Sequence, residues 1–470
     1  MVGPAYHAPE TAAPPGWVGV TQAQSERASV ATGKPAELAW WWRQFNDPLL
    51  DELVEEGLKA SLDLKVAEAR LRQARAQSGI AKGGLWPSLT AAGGYQKYHT
   101  AGVTADDQAK DLFEAGLDAV WEMDLFGGIR RNIESANAGV EAAVENIRDV
   151  QVSFIAEVAL DYTQLRGYQQ QLAVARSNLE AQQHTAEITR KLFQVGFDSA
   201  LDVANAEANV YATESQIPVF ETQARQSIYA LSVLLARPPG YLLEKLSPAG
   251  SLPAAPAEIP AGLPSELLRR RPDIREAEAQ LHAATAQIGV AVAQYFPSFS
   301  LTGTVSWQSN VFRTWGDAAS RSFSLGPSLN WPIFQGGAIA SNVRLQEALR
   351  DQAFITYQET VLSAFQDVEN ALIAFANEQA HRRVLTEDVA ANRKAVDLSL
   401  QLYTAGQIPF LNVLVAQTSL YNAENALVQS ETNIITDIVA LYKALGGGWD
   451  SDSPYAHSTT PSPADALVER

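Results

Sequence analysis

Two hydrophobic periods alternate along this chain. From Phe113 to Leu125 every odd position is apolar, from Phe113, Ala115 and Leu117 through Ala119, Trp121 and Met123 to Leu125. The even positions are mostly acidic or small, which is the period of a strand with two unlike faces. From Gly128 the period lengthens. Ile129, Ile133, Ala136, Val140, Val144, Ile147, Phe154, Val158, Tyr162, Leu165, Leu172 and Leu179 fall at steps of three, four or seven, the stripe of an amphipathic helix with near-heptad spacing. Unbroken to Val195, that helix would be roughly 100 Å long at about 1.5 Å per residue, a rod no ordinary globular domain needs.

The same alternation predicts strands at about 88–98, 112–125, 298–308 and 321–333. In the later pair, Phe299, Leu301, Val305 and Trp307 alternate with serines and threonines, and so do Phe323, Leu325, Leu329 and Trp331. A helix is predicted from about Asp47 to Leu85, ended by Pro87. Val195-Gly196-Phe197-Asp198-Ser199 reads as a tight reversal, with Gly196 left-handed at a helix C-terminus and Asp198 or Ser199 capping the next helix. The returning helix, about Ala200 to Ala236, contains Pro218, which predicts a kink near Gln216.

The pattern then repeats. Trp86-Pro87-Ser88 is echoed by Phe296-Pro297-Ser298, Leu192-Phe193 by Leu402-Tyr403, Gly196 by Gly406 and Val203 by Val413, all 210 residues apart. One register over so long a span marks internal duplication. The organisation read from it is an extended arm (1–46), a first repeat (47–237), a proline-rich connector (238–272) holding a short helix at Pro264–Arg270, a second repeat (273–445) and a tail (446–470).

Four alternating strands with small or hydrophilic inner positions, and with aromatics Tyr95, Tyr98, Trp121, Phe126, Trp307, Phe323 and Trp331 towards their ends, point to a membrane barrel. Four strands cannot close one, and an open sheet in lipid leaves edge groups unpaired. Three copies supply twelve strands. The fold class expected is thus a mixed α and β membrane protein, a trimeric twelve-stranded β-barrel continued by a long α-helical barrel.

Composition narrows the chemistry. A formal charge of −18 argues against a nucleic-acid partner. The sequence holds no cysteine, which removes disulfides, thiol chemistry and cysteine-ligated metals. The six histidines show no metal-ligand spacing, Gly446-Gly447-Gly448 lacks the lysine of a phosphate loop and reads as a helix stop, and Arg269-Arg270-Arg271 suits salt bridging in an acidic chain. No catalytic constellation is visible, so neither an enzyme nor a cofactor is expected.

Several segments together resemble the outer-membrane efflux factors of TolC/OprM type. They are Ala261 to Ile274 (AGLPSELLRRRPDI), Tyr295-Phe296-Pro297-Ser298, Trp121 to Gly127 (WEMDLFG) and Leu441 to Trp449 (LYKALGGGW), and Val2-Gly3-Pro4-Ala5-Tyr6 is similar to the start of that family's mature lipoprotein branch. The resemblance implies a homotrimeric exit duct in the outer membrane of a Gram-negative bacterium, reaching into the periplasm. It would work with a periplasmic adaptor and an inner-membrane pump, most often of the resistance-nodulation-division type. That branch usually carries an acylated cysteine, which this sequence does not supply, and Met1 reads as added to or substituted in a processed chain. A soluble coiled-coil scaffold is the competing reading, and it leaves the four strands unexplained.

The resemblance also places candidate site residues. The reversals, with Gly196, Phe197 and Asp198 in one and Gly406, Gln407 and Pro409 in the other, become the periplasmic tips that meet the adaptor. Positions where the family often carries acidic rings hold Asn412 and Val415, with Asp202 and Asn205 in the first repeat, so the constriction is expected to be partly apolar, closing at Val415 by dewetting. Tyr403 is expected to hydrogen-bond to the neighbouring helix and hold the closed state.

Overall fold

A computed structural model describes residues 1–18, 30–32, 38–99, 109–256, 258–260 and 262–450. The stretch 100–108, between the first two expected strands, and the tail after Asp450 lie outside these residues. In chain order the elements are β1 (Val30–Thr32), α1 (Pro48–Ala60), α2 (Leu62–Gly83), β2 (Ser88–Tyr98), β3 (Lys110–Met123), α3 (Gly128–Gln194), α4 (Ala200–Glu214), α5 (Ile217–Leu234) and α6 (Leu243–Leu246). They continue with β4 (Glu258–Pro260), α7 (Pro264–Arg270), α8 (Pro272–Ala293), β5 (Ser298–Ser309), β6 (Arg321–Asn330), α9 (Ala338–Thr404) and α10 (Phe410–Ala444). The two longest helices, α3 and α9, have 67 residues each. Among the described residues no helix is long and apolar enough to cross a membrane.

Local chemistry explains where elements stop. The single helix expected from Asp47 to Leu85 is two. Asp47 caps α1, its carboxylate accepting from Leu49 N and Leu50 N at 3.0 and 3.3 Å with Pro48 at the first position. Ser61 then turns extended, and its hydroxyl accepts from Leu64 N at the start of α2. β3 ends at Met123, short of the expected Leu125, because Asp124 is drawn into capping α3: its carboxylate accepts from Ile129 N and Arg130 N at 3.1 and 3.0 Å. β6 ends at Asn330, before the Trp331-Pro332 pair whose proline has no N–H to give a ladder. The break between α4 and α5 falls at Ser215 and Gln216, beside Pro218.

The residues divide into two compact units, and several helices contribute to both. The first, residues 1–10, 69–145 and 275–360, contains the antiparallel sheet β2-β3-β5-β6, in which β2 and β6 are edges. One face carries Leu89, Tyr95, Phe113, Leu117, Trp121, Leu301, Val305, Phe323, Leu325 and Leu329, in register across the ladders. The other carries a ladder of hydroxyls, with Ser300 to Ser328 at 2.7 Å, Thr304 to Ser324 at 3.0 Å and Ser306 to Ser322 at 2.8 Å, and Gln308 donating to Glu114 at 3.2 Å. Phe323 and Leu325 remain 77 and 74 % exposed, so the apolar face has no cover among the described residues. A large uncovered apolar face opposite a hydroxylic one fits a wall between lipid and water.

Duplication is visible at atomic detail in this unit. Trp121 Nε1 donates to Leu85 O at 3.0 Å, and 210 residues later Trp331 Nε1 donates to Tyr295 O at 3.1 Å. Ser88 Oγ bonds Val120 O and Ser298 Oγ bonds Asn330 O, both at 3.3 Å. Gly127 and Gly337 share φ +87°.

The second unit, residues 11–68, 146–274 and 361–470, has an aromatic centre. Trp41, Trp42 and Phe45 are fully buried, Trp41 stacks on Tyr442 at 5.0 Å, and Tyr442 donates to Gln44 Oε1 at 2.8 Å. Tyr162 donates to Asp47 at 2.7 Å, tying the α1 cap to α3. Arg271 of the triple-arginine run bonds Asp273 at 2.9 Å and Asp367 at 2.7 Å and donates to Ala444 O, which closes the connector against the end of α10.

Candidate functional site at the helix reversals

Both helix reversals lie in the second unit and are built alike. α3 ends with Gly196 at φ +82°, Gly196 N bonding Phe193 O and Phe197 N bonding Leu192 O. α9 ends with Gly406 at φ +72°, Gly406 N bonding Tyr403 O and Gln407 N bonding Leu402 O. The paired 5→2 and 6→1 bonds define a Schellman cap, and its left-handed residue is where glycine costs least.

The side chains differ. In the first reversal Ser199 is the cap and Asp202 its reciprocal partner: Ser199 Oγ accepts from Asp202 N at 3.2 Å, and the Asp202 carboxylate accepts from Ser199 N at 3.3 Å and Ser199 Oγ at 2.5 Å. Asp202 thus has a local structural duty. In the second, Pro409 stands in the cap position with no side-chain bond.

A small apolar core joins the reversals. Tyr403 and Phe410, ring centroids 5.5 Å apart, pack with Ala186, Ala206, Val210 and Val413. Within it the Tyr403 hydroxyl donates to the Asp198 carboxylate and lies 3.0 Å from Thr189 Oγ1. Burial, and then the bond to Asp198, raise the Tyr403 phenol far above its ordinary range, so it stays a neutral donor at every pH the protein meets. One hydroxyl therefore connects the end of α9 to the α3–α4 turn and to the body of α3.

Of the sequence-derived candidates, the structure brings together Tyr403 and Asp198. Asn412 and Val415 are exposed, Val415 by 56 %, on the side of α10 away from buried Val413. Asn205 is half-buried on α4, while Phe197 is 83 % exposed and Gln407 and Pro409 are exposed at the turns. Sequence reasoning missed Thr189 and Phe410. Their signal was available, since Thr185 and Thr189 are polar residues four apart on a buried stripe.

In the first unit the aromatics form two ends of the sheet. Trp121 and Trp331 bond the chain entering β2 and β5 from the helices, and Phe126 stacks on Phe296 at 4.6 Å nearby. At the other end Tyr95 packs on Phe113 at 5.0 Å and donates to Asp111, with Tyr98 half-buried beside them in β2. Trp307 pairs with Ala115 and with Arg321, the last pair of the β5–β6 ladder, and Phe323 faces Val305 two positions before that end.

Among the described residues no group of three or more acidic, histidine or cysteine side chains could hold a metal. The family model described as "Outer membrane efflux protein" matches residues 53–237 and again 263–447. The chain is 34 % identical over 440 residues to the pyoverdine export outer membrane protein OpmQ of Pseudomonas aeruginosa, covering 92 % of each, and 31 % identical over 451 residues to nodulation protein T of Rhizobium leguminosarum bv. trifolii, covering 96 % of this chain and 95 % of the other. Its structure superposes on the outer-membrane channel OprN with a TM-score of 0.87 at 38 % identity, over 95 % of this chain and 99 % of that one. Two matched copies, the four-stranded two-faced sheet and the paired long helices agree: the chain belongs to the outer membrane efflux protein family and is an outer-membrane efflux channel of a Gram-negative bacterium.

Proposed function

We propose that three copies of this chain pair β2 of one with β6 of the next to close a twelve-stranded barrel, forming the passive exit duct of a tripartite pump. The observation that carries this is the sheet itself, with two unpaired edges, an uncovered apolar face and a hydroxylic face. Lipid tolerates no open edge, so closure must come from further copies. The duct's partners are then a periplasmic adaptor meeting the turns around Gly196 and Gly406 and an inner-membrane pump of the resistance-nodulation-division type. A pyoverdine exporter among its relatives makes a small organic metabolite the cargo class to test first.

The gate in this reading is the ring of helix reversals. The Tyr403–Asp198 bond latches the turns, and Asp202, Asn205, Asn412 and Val415 line the approach. Opening is an outward movement of the helices about Gly196 and Gly406. Purified protein in a planar bilayer, with its mass measured in detergent, tests the reading: a trimer giving discrete gated currents is expected, and a detergent-independent monomer that carries none would sink it.

A further inference from the structure

The face of α3 that packs on α10 is polar where a buried helix seam is ordinarily apolar. Asn178, Gln182, Thr185 and Thr189 follow one another at steps of four, three and four, and are 8, 3, 2 and 0 % exposed. Three have partners. Asn178 Nδ2 donates to Glu424 Oε2 at 2.7 Å, Gln417 Nε2 donates to Thr185 Oγ1 at 2.8 Å, and Thr189 meets Tyr403 as described. Gln182 lies between the first two rungs, and both its amide oxygen and its amide nitrogen are buried without a partner. Buried side-chain amides are nearly always paired, and leaving both ends unpaired penalises the arrangement that does so.

The register shows what could pair with it. Asn178 and Thr185 are seven apart on α3, and Gln417 and Glu424 are seven apart on α10 in the opposite order, so the two rungs sit two turns apart on antiparallel helices. Gln182 is one turn from Asn178, and a displacement of α10 along α3 by no more than a turn carries Glu424 to it. Glu424 is also held by Arg393 of α9 at 2.6 Å, so carboxylate and guanidinium travel together with the α9–α10 hairpin. Packed helices with two alternative pairings are bistable elements, not continuously deformable ones.

We propose that Gln182 is a positioning residue for the conformational change of the duct, unpaired in the arrangement described here and donating to Glu424 in a second one reached when the α9–α10 hairpin moves along α3. The inference rests on the reading of the helix reversals as the gate. It deepens that reading by naming a group that penalises one state and favours the other.

The absence of native cysteines lets introduced pairs report without background. A disulfide between Asn178→Cys and Glu424→Cys traps the first arrangement, and one between Gln182→Cys and Glu424→Cys traps the second. In single-channel recordings Gln182→Leu is expected to shift occupancy at least tenfold towards the conductance level that the first disulfide locks, whereas a merely structural residue would change the melting temperature and leave occupancies alone. A folded Gln182→Leu trimer with wild-type occupancies overturns the proposal. So does failure of the 182–424 disulfide to form while the 178–424 disulfide forms fully. A trimer that never conducts removes the gate reading, and the two disulfides, read on a gel, still decide the seam.

Discussion

The two helix reversals share a backbone and divide the chemistry between them. Gly196 and Gly406 occupy the same left-handed position, with the same two bonds around them. Yet Tyr403 in the second copy corresponds to Phe193 in the first, and Asp198 in the first corresponds to Ile408 in the second. The inverse contact has neither donor nor acceptor. Tyr403 to Asp198 is therefore a latch that points one way, from copy two to copy one. Duplication conserved the turn, whose backbone conformation few sequences satisfy. Divergence produced the lock, because side-chain polarity at a turn is free to change.

The largest effect on this comparison is expected from Tyr403→Phe, which makes the second copy resemble the first. Losing a buried bond to a carboxylate costs about 1.5–3 kcal/mol, and each 1.4 kcal/mol is about tenfold in an equilibrium. The fraction of time in the more conducting level should rise by about tenfold or more in bilayer recordings, and Asp198→Asn combined with Tyr403→Phe should add little to either alone. An unchanged open fraction would break the latch.

Next comes the end of each repeat, where the copies place different residues in one left-handed position. Ala236 at φ +55° occupies the position that Gly446 fills at φ +68° in copy two, with matching bonds from Ala236 N to Val233 O and from Gly446 N to Lys443 O. A left-handed alanine is strained by about 1–2 kcal/mol. Gly446→Ala should lower the melting temperature of the trimer, the more so because its new Cβ would stand 3.1 Å from Arg271 Cα. Ala236→Gly should raise it, by less, since glycine loses more freedom on folding. Equal and opposite shifts would show that strain alone sets the difference.

A smaller asymmetry is the capping box. Ser199→Ala removes the two bonds of the Ser199 hydroxyl, leaving the Asp202 carboxylate only the backbone Ser199 N–H, and should cost about 1 kcal/mol, seen as faster protease cleavage or hydrogen exchange at 196–203, whereas Pro409→Ala should leave exchange at 406–413 close to wild type. Smallest is a pH effect at one position of copy two. Asp437, whose counterpart is Ser227, has its carboxyl raised to about 6 by burial and then by the nearby Glu378. A folded-state value above the unfolded one favours the fold while the group is protonated, so this contribution is present in acid and is lost as pH rises through about 6. Asp437→Asn should raise the melting temperature at pH 7.5, and the gain should vanish near pH 4. A gain independent of pH would assign the effect to packing.

Much of this was legible in the chain. A two-residue period cannot be mistaken for a helical one over ten residues, and a 210-residue echo survives wherever glycine, proline or tryptophan has a backbone duty, as at Gly196, Pro297 and Trp331. The left-handed glycines announced the reversals because no other residue takes that conformation without strain. Element ends were less visible. Asp124 and Ser61 each had two possible uses, strand or helix interior against cap, and the choice depends on which backbone N–H groups lie within reach.

Sequence by itself thus determined the elements, the duplication, the family and the two faces of the sheet, since all follow from local periodicity and from residues with restricted backbone freedom. Tertiary structure alone decided that Asp202 is taken up by Ser199, that Tyr403 finds Asp198 and Thr189 across more than 200 residues of chain, and that Gln182 is buried with nothing to bond. A polar side chain's partner is chosen by the few ångströms of space it shares with other elements, and linear spacing carries no record of that space.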